Sequence, residues 1–504
     1  MTWRITGQEY SMRQQTSVVV IQVIAITIAS VLVAFNPALG LAGVGVILIV
    51  GLILFRVEYG VILLLFVLSL GLESLDLSSV LENVPGATNL LSIVSSGHIT
   101  VYDFLIVVVL AAAMIKRFAS HKPAKDKTKI SKLILLYLGF GLFISVIASV
   151  TVEFANLSWS LVYLLRLCFT MLTFVVMLTI RPSETEIRRY LQIYVLLALI
   201  PAARGVYQAF FETPATSLEG AVGFVRFGGF SPMGLGTYLG SVIGICLTII
   251  GSRTLQQKVI SRWLALVMLL VSIGTIVISQ KRAPVVAALT ALIIWIVMER
   301  SQIKRYGWLI TAAVVFLIGI AVWRGGIFDR TFLSDPGLPD WLRNTDQIAS
   351  LPAPLSNLLT YDLDPNITTR FGQWYLALEA AVTYPQGVGF RTMVLSPYSY
   401  PHNQYLQILA EFGLVGLICF GALAWQILKL GYRLYRGNHY VGRLLGGGVL
   451  YGFMVMLVQG VFEEAFHNWD GMALLWLLVG LAVVQLSNLD AETNPEPAQW
   501  SAQP

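Results

Sequence analysis

The residues of this chain best suited to chemistry are cations set against apolar sequence. Arg226, Lys281, Arg282 and Arg370 fall at the ends of apolar runs or at the edge of a long connection, and Arg166 and Arg204 lie inside apolar runs. A guanidinium donates two parallel hydrogen bonds and stays charged, so arginine in such a setting suits a phosphate or a carboxylate. Within a lipid-buried run an arginine is costly to desolvate; it is read as functional unless it snorkels to the interface or pairs structurally. His402 stands in YPHNQYLQILAEFGLVGL, where polar sequence turns into a helix-period apolar run. Alone, a histidine there reads as a cap or interface residue. Facing a cluster of arginines it reads as a general base, because an imidazole with the ordinary pKa of about 6.5 takes up a proton near neutrality.

Other titratable groups give weaker signals. Asp362 and Asp364 in DLD, and the group Glu463, Glu464, His467 and Asp470 ahead of the last apolar run, have the donor types of a metal site without a diagnostic spacing. No metal is expected. His98, His121 and His439 stand alone in connections and are expected at the surface. Cys168, Cys246 and Cys419 all fall in apolar runs, which favours packing over disulfides. No P-loop, GxGxxG or HExxH string is present, so no nucleotide or other cofactor is expected, and any reaction must draw on an activated substrate.

The elements that position these groups are set by lipid. Of 504 residues 57% are hydrophobic and 12% charged, and the mean hydropathy is +0.76; soluble chains carry about twice that charge. Apolar runs near the bilayer-crossing length recur at 18–35, 38–55, 60–72, 101–115, 133–151, 159–180, 190–211, 232–250, 263–279, 284–298, 308–322, 405–428, 444–463 and 470–486. The expectation is an all-α polytopic membrane protein with about 14 transmembrane helices, or 12 if the short third and fourth runs do not span. Most of the 33 lysines and arginines then fall on one set of connections, which places both termini in the cytoplasm. The net charge of +6 follows from that bias and does not point to nucleic acid.

Four regions follow: helices 1–11 over residues 1–322, a large outer loop over 323–403, helices 12–14 over 404–486, and a cytoplasmic tail over 487–504. A loop that long is functional or disordered. Trp341, Phe371, Trp374, Tyr375 and Tyr384 give it aromatic anchors, and with the helix-period spacing over 370–384 they predict one or two amphipathic helices on the outer interface. No internal repeat is seen, which speaks against inverted-repeat transporters.

Several of these patches resemble the O-antigen ligase and polymerase superfamily of bacterial envelope glycan transferases. PHNQYLQILAEFGLVG resembles its loop-to-helix junction, with His402, Glu411, Gly413 and Gly416 in the matching positions. GVYQ through RFGGFSPMGLGTYL resembles a second segment, with Gly205, Gln208, Arg226, Gly229 and Pro232, and SQKRAPVVAAL resembles the turn in which Arg282 opens a helix. RFGQWYLALEAAVTYPQGVGF is similar to the family's Arg-to-Trp helix and Pro-x-Gly-x-Gly segment. The likeness spans about residues 200–425. Met233, Lys281 and Ala283 depart from the usual pattern.

The resemblance implies transfer of a glycan from an undecaprenyl diphosphate carrier to an acceptor hydroxyl of a glycan or lipid A core, on the periplasmic face of a bacterial inner membrane. In that reading His402, Arg282 and Arg226 are catalytic, and Arg370, Lys281, Arg204, Arg166, Glu411 and Gln208 bind substrate. Inversion at the anomeric carbon follows, with no metal and no cofactor. Within the same chemistry stand a polymerase that joins repeat units and a transferase to protein hydroxyls. From another class stands a transporter of an anion such as bicarbonate or of a lipid-linked glycan, and a structural subunit without chemistry is the remaining reading.

Overall fold

A computed structural model describes residues 49–70, 101–119, 128–211, 230–252, 259–279, 282–298, 365–395, 400–467 and 469–493. The expected helices at 18–35 and 308–322, Arg226, Lys281, His98, His121, Asp362, Asp364 and most of the outer loop lie outside these residues. The chain divides into two units, Met1–Val67 with Leu75–Ala124, and Leu68–Ser74 with Lys125–Pro504.

In the first unit, helix α1 (Val57–Ser69) buries Val61, Leu64 and Leu65, and helix α2 (Val101–Ala119) buries Ile106 and Val109. Glu58 in the first turn of α1 meets Lys116 in the last turn of α2 at 2.7 Å. The pair is half exposed and contributes little stability.

The second unit is a helical bundle. Its elements are α3 (Lys129–Thr151), α4 (Leu157–Ile180), α5 (Glu184–Leu196), α6 (Leu199–Phe211), α7 (Pro232–Gly251), α8 (Arg262–Ile278), α9 (Arg282–Met298), α10 (Pro365–Thr383), a short 3-10 turn at Thr392–Leu395, α11 (Gln404–Arg436), α12 (Tyr440–Gln459) and α13 (Trp469–Thr493). Among the described residues, seven stretches are long and apolar enough to cross a membrane: Lys129–Thr151, Leu157–Ile180, Glu184–Gln208, Met233–Gly251, Gln404–Arg436, Tyr440–Gln459 and Gly471–Ala491. Val57–Ser69, Arg262–Ile278 and Ala283–Ile296 are shorter apolar helices.

Capping side chains fix the helix starts. Asn156, Ser183, Ser231, Ser261 and Asn403 each accept a backbone N–H of the first turn, and Ser183 with Glu186 forms a reciprocal capping box. The run expected as one helix over 190–211 is divided between α5 and α6. Pro201 has no N–H to bond the Leu197 carbonyl, and the Ile200 N–H takes that carbonyl instead at 3.0 Å.

The tightest contact joins α7 to α12. In lipid, helices associate by close van der Waals approach, which small residues permit. Gly236, Gly240 and Gly244 stand four residues apart on α7 and face Gln459, Val455 and Gly447 of α12 in turn. A Cβ at Gly244 would collide with the Gly447 carbonyl, and one at Gly452 would meet Ser241 Cβ at 2.7 Å. Gly244→Val is therefore expected to lower stability by about 1–3 kcal/mol, as overpacking does. Denaturation by SDS in mixed micelles reads this, and unchanged stability would mean that the two helices do not pack this way.

His439 departs from the expectation of a solitary surface residue. It caps α12 through Gly442 N–H, and its Nε2 lies 3.1 Å from Glu184, which also pairs with Arg188. The sequence concealed this because the partner comes from a different connection. Lys129, Arg181, Arg188, Arg436 and Arg443 stand at this end of the bundle, at the opposite helix ends from His402 and Arg370.

Candidate functional site

His402, on which the sequence reading centred, lies just before α11, and its backbone sits in the left-handed region at φ 44. A non-glycine residue pays for that conformation and keeps it only where its surroundings hold it. Two neighbours do so. Asn403 accepts the N–H groups of Tyr405 and Leu406 as the α11 cap, and its Nδ2 donates to the Val461 carbonyl at 3.0 Å. The Gln404 N–H donates to the Gly460 carbonyl at 2.7 Å. The start of α11 is thus bound to the end of α12.

This arrangement brings the imidazole onto Glu463, with Nδ1 2.7 Å from Oε2. Arg370 NH2 donates to the other oxygen of the same carboxylate at 2.9 Å, and its NH1 donates to the Phe462 carbonyl. Burial would raise the Glu463 carboxyl, yet the His402 hydrogen bond and charge, with Arg370, hold it below the ordinary carboxylate range. An ionised carboxylate can only accept, so Nδ1 must carry the proton that it donates. Whenever the ring is neutral, Nε2 then offers a lone pair, on a side chain that is 41% exposed. Glu463 in this way fixes both the tautomer and the orientation of the ring.

A second ion pair adjoins the first. Arg391 NH1 donates to Glu464 Oε2 at 2.5 Å, and its guanidinium lies 5.2 Å from the Tyr163 ring centre and 5.8 Å from that of Tyr400. These side chains are 11% and 16% exposed. Burial works against the Arg391 charge, but Glu464 and its neighbours outweigh it and hold the proton more tightly than usual. Tyr400 stands edge-on to His402 with centroids 4.9 Å apart and donates to Gln407, which in turn donates to Glu411. Glu411 is fully buried, and its Oε2 has no hydrogen-bond partner among the described residues.

The scaffold beneath depends on a break in α11. Gly413 has φ 65, and the carbonyls of Ala410 and Glu411 accept the N–H groups of Val388 and Gly389, both at 3.0 Å. Gly387 and Gly389 also take positive φ, and any side chain at Gly387 would strike the Glu411 backbone. The PQGVG segment therefore closes on the unwound turn and delivers Arg391, itself at φ 59, to Glu464. Below the carboxylates, Gln404 Oε1 accepts the N–H groups of Phe466 and His467, so its Nε2 donates to His467 Nδ1 at 3.2 Å. His467 Nε2–H is left to donate to the Tyr137 hydroxyl at 3.0 Å. Burial, with the Arg391 charge, pushes His467 well below the usual imidazole range, and it is a neutral anchor for the loop that carries Glu463 and Glu464.

The other expected site residues are placed as follows. Arg282 opens α9; its side chain lies outside the described residues. Its neighbour Pro284 faces Gly236, where a Cβ would meet Pro284 Cβ at 3.0 Å and Gln459 Cδ at 3.1 Å. The Gln459 carbonyl accepts the Glu463 N–H at 2.9 Å, which puts the start of α9 at the same end of the bundle as His402. Arg166 is half-buried on α4, beyond Trp159 and Tyr163, and its carbonyl accepts the Thr170 hydroxyl. Arg204 is exposed on α6, with NH1 3.3 Å from the Leu70 carbonyl, and Gln208 is buried one turn on. Helix α10 forms where the amphipathic stretch was expected. It seats Ala377 and Ala380 against Ala148, Val152 and Ala410, and leaves Phe371, Leu378 and Val382 exposed.

Glu463, Glu464 and Arg391 were not foreseen as parts of this site. The two carboxylates had been weighed as metal donors with His467 and Asp470. Here Glu463, Glu464 and His467 face three different partners, and among the described residues no group of three or more such side chains could hold a metal ion. The available signal was charge complementarity: adjacent carboxylates in a short connection on the same side as the outlying arginines.

The match to a family model falls on this same region. Residues 266–421 match a family model described as O-antigen ligase. The match includes Arg282, Arg370, Arg391, His402 and Glu411, whereas the patches at GVYQ and RFGGFSPMGLGTYL precede it and Glu463 and Glu464 follow it. Those two carboxylates lie beyond the matched residues, and their partners Arg370, Arg391 and His402 lie within them. No curated protein matches the chain.

Proposed function

We propose that this protein is an O-antigen ligase-like membrane glycan transferase that moves a glycan from an undecaprenyl diphosphate carrier to an acceptor hydroxyl of a glycan or lipid A core. The observation that carries this reading is the His402–Glu463–Arg370 group, in which a carboxylate orients an imidazole beside a guanidinium. His402 Nε2 takes the acceptor hydroxyl proton as the acceptor oxygen attacks the anomeric carbon. The bond from that carbon to the diphosphate oxygen breaks with its electron pair passing to the diphosphate. Attack opposite the leaving group inverts the anomeric carbon.

Arg282, Arg226 and Arg370 hold the diphosphate and stabilise the charge that grows on it, with Lys281 adding to the local positive potential. Arg166, Arg204 and Gln208 serve the carrier or glycan nearer the lipid, and Glu411 supports Tyr400 through Gln407. The bias of lysine and arginine toward the opposite helix ends supports a periplasmic position for this end of the bundle, with both termini in the cytoplasm of a bacterial inner membrane. Cations gathered at one end of a bundle, away from its midplane, favour a transferase over a transporter.

Incubation of the purified protein with a lipid diphosphate-linked glycan and candidate acceptors tests the reading. Glycan transfer that persists in EDTA is expected. Strict dependence on an added divalent cation would overturn the metal-free chemistry, and failure with every acceptor hydroxyl would remove the transferase reading.

A further inference from the structure

The Glu463 carboxylate has two oxygens, and each is committed to a different member of the site: Oε2 to His402 and Oε1 to Arg370. We propose that Arg370 couples donor binding to the base, so that an arriving diphosphate draws the guanidinium off Glu463 and thereby strengthens the hold of Glu463 on the His402 Nδ1 proton. The inference rests on the diphosphate-donor reading and adds an order of events to it. Donor binding comes first and readies His402 for the acceptor.

The geometry permits the exchange. Arg370 is 35% exposed on its side chain and Glu463 24%, so the guanidinium can turn toward a ligand without breaking a sealed core. Diphosphate oxygens outnumber the single carboxylate oxygen that Arg370 now holds, and they form the same forked hydrogen bonds. Arg370 also holds the Phe462 carbonyl, which keeps it at the site as it turns. A carboxylate relieved of a neighbouring cation is a stronger acceptor. A stronger acceptor at Nδ1 makes the other ring nitrogen more basic, as it does in carboxylate–histidine pairs elsewhere.

The other groups around His402 do not offer this link. Tyr400 meets the ring edge-on and directs its hydroxyl to Gln407. Glu464 is committed to the buried Arg391, and Glu411 lies behind Gln407. Of the charged side chains described at the site, only Arg370 touches the carboxylate that holds the imidazole and is also open enough to meet a ligand.

The test reads the protonation of His402 without turnover. In the purified full-length protein, carbethoxylation of His402 by diethyl pyrocarbonate is followed by peptide mass spectrometry across a pH series, with and without farnesyl diphosphate, an unreactive diphosphate. Binding of that ligand is measured separately. In the wild-type protein farnesyl diphosphate is expected to move the reactivity midpoint up by about one pH unit, the scale of losing one adjacent cation. In Arg370→Gln the midpoint should already lie high without ligand and move less when ligand binds; Arg370→Lys serves where the glutamine variant does not fold, and should shift by an intermediate amount. Equal ligand-induced shifts in wild type and variants, or ligand bound with an unmoved wild-type midpoint, would overturn the coupling alone. No binding of farnesyl diphosphate would overturn the diphosphate reading and the coupling with it.

Discussion

His402→Ala is expected to lower glycan transfer by about two to four orders of magnitude, the range over which a positioned general base acts, while the protein remains folded and inserted. The ring is 41% exposed, with Tyr400 edge-on to it, so its removal leaves no deep cavity. Glu463→Gln should fall between wild type and His402→Ala. The amide keeps the volume and can still accept from Nδ1 through its oxygen, but without the charge that stabilises an imidazolium. It also leaves Arg370 without its anionic partner. Initial rates with saturating lipid-linked donor distinguish these variants, and near-normal turnover by His402→Ala would remove it as the base. If instead Glu463→Gln lost activity and His402→Ala kept it, the carboxylate itself would be the base and the imidazole its holder.

Much of this molecule was legible in the sequence because lipid imposes a simple rule. A helix that crosses a bilayer must be long and apolar, and the stretches at 133–151, 159–180, 232–250, 405–428 and 444–463 emerge as helices with shifted ends. Amphipathic spacing placed α10 for the same reason. His402 was legible from its position between a polar loop and an apolar run, and Arg370 from its sign on the side where cations are scarce. What escaped was everything set by pairing between distant segments. Glu463 reaches His402 only because Gly460 and Val461 are bonded to the start of α11, and no local pattern announces that bond. Arg391 carries no local signal, because it reaches Glu464 only where the PQGVG segment closes on the unwound turn at Gly413. A glycine at that point in an apolar run reads as helix packing, whereas its positive φ makes it the hinge of the site.

The same pairing makes Arg391 and Glu464 the most consequential of the described ion pairs for stability. Both side chains are largely buried, so each is tolerated because the other is there. Glu464→Gln removes the counter-charge and leaves a guanidinium that can neither shed its proton nor readily reach water; a loss of about 3–5 kcal/mol is expected from such an uncompensated charge. Arg391→Met should be milder, because its partner carboxylate can take up a proton and become neutral as burial demands. The double variant Arg391→Met with Glu464→Leu should recover much of the loss, since an apolar pair of similar volume needs no desolvation. Unfolding of the wild type, Arg391→Met, Glu464→Leu and the double variant in mixed micelles forms a double-mutant cycle, and the coupling it yields separates the pair from the packing of Tyr163 and Tyr400 on the guanidinium. Additive effects would mean that Arg391 is held by its aromatic neighbours and not by Glu464. A recovered fold without recovered transfer would show, in turn, that the Arg391 charge serves the reaction as well as the structure.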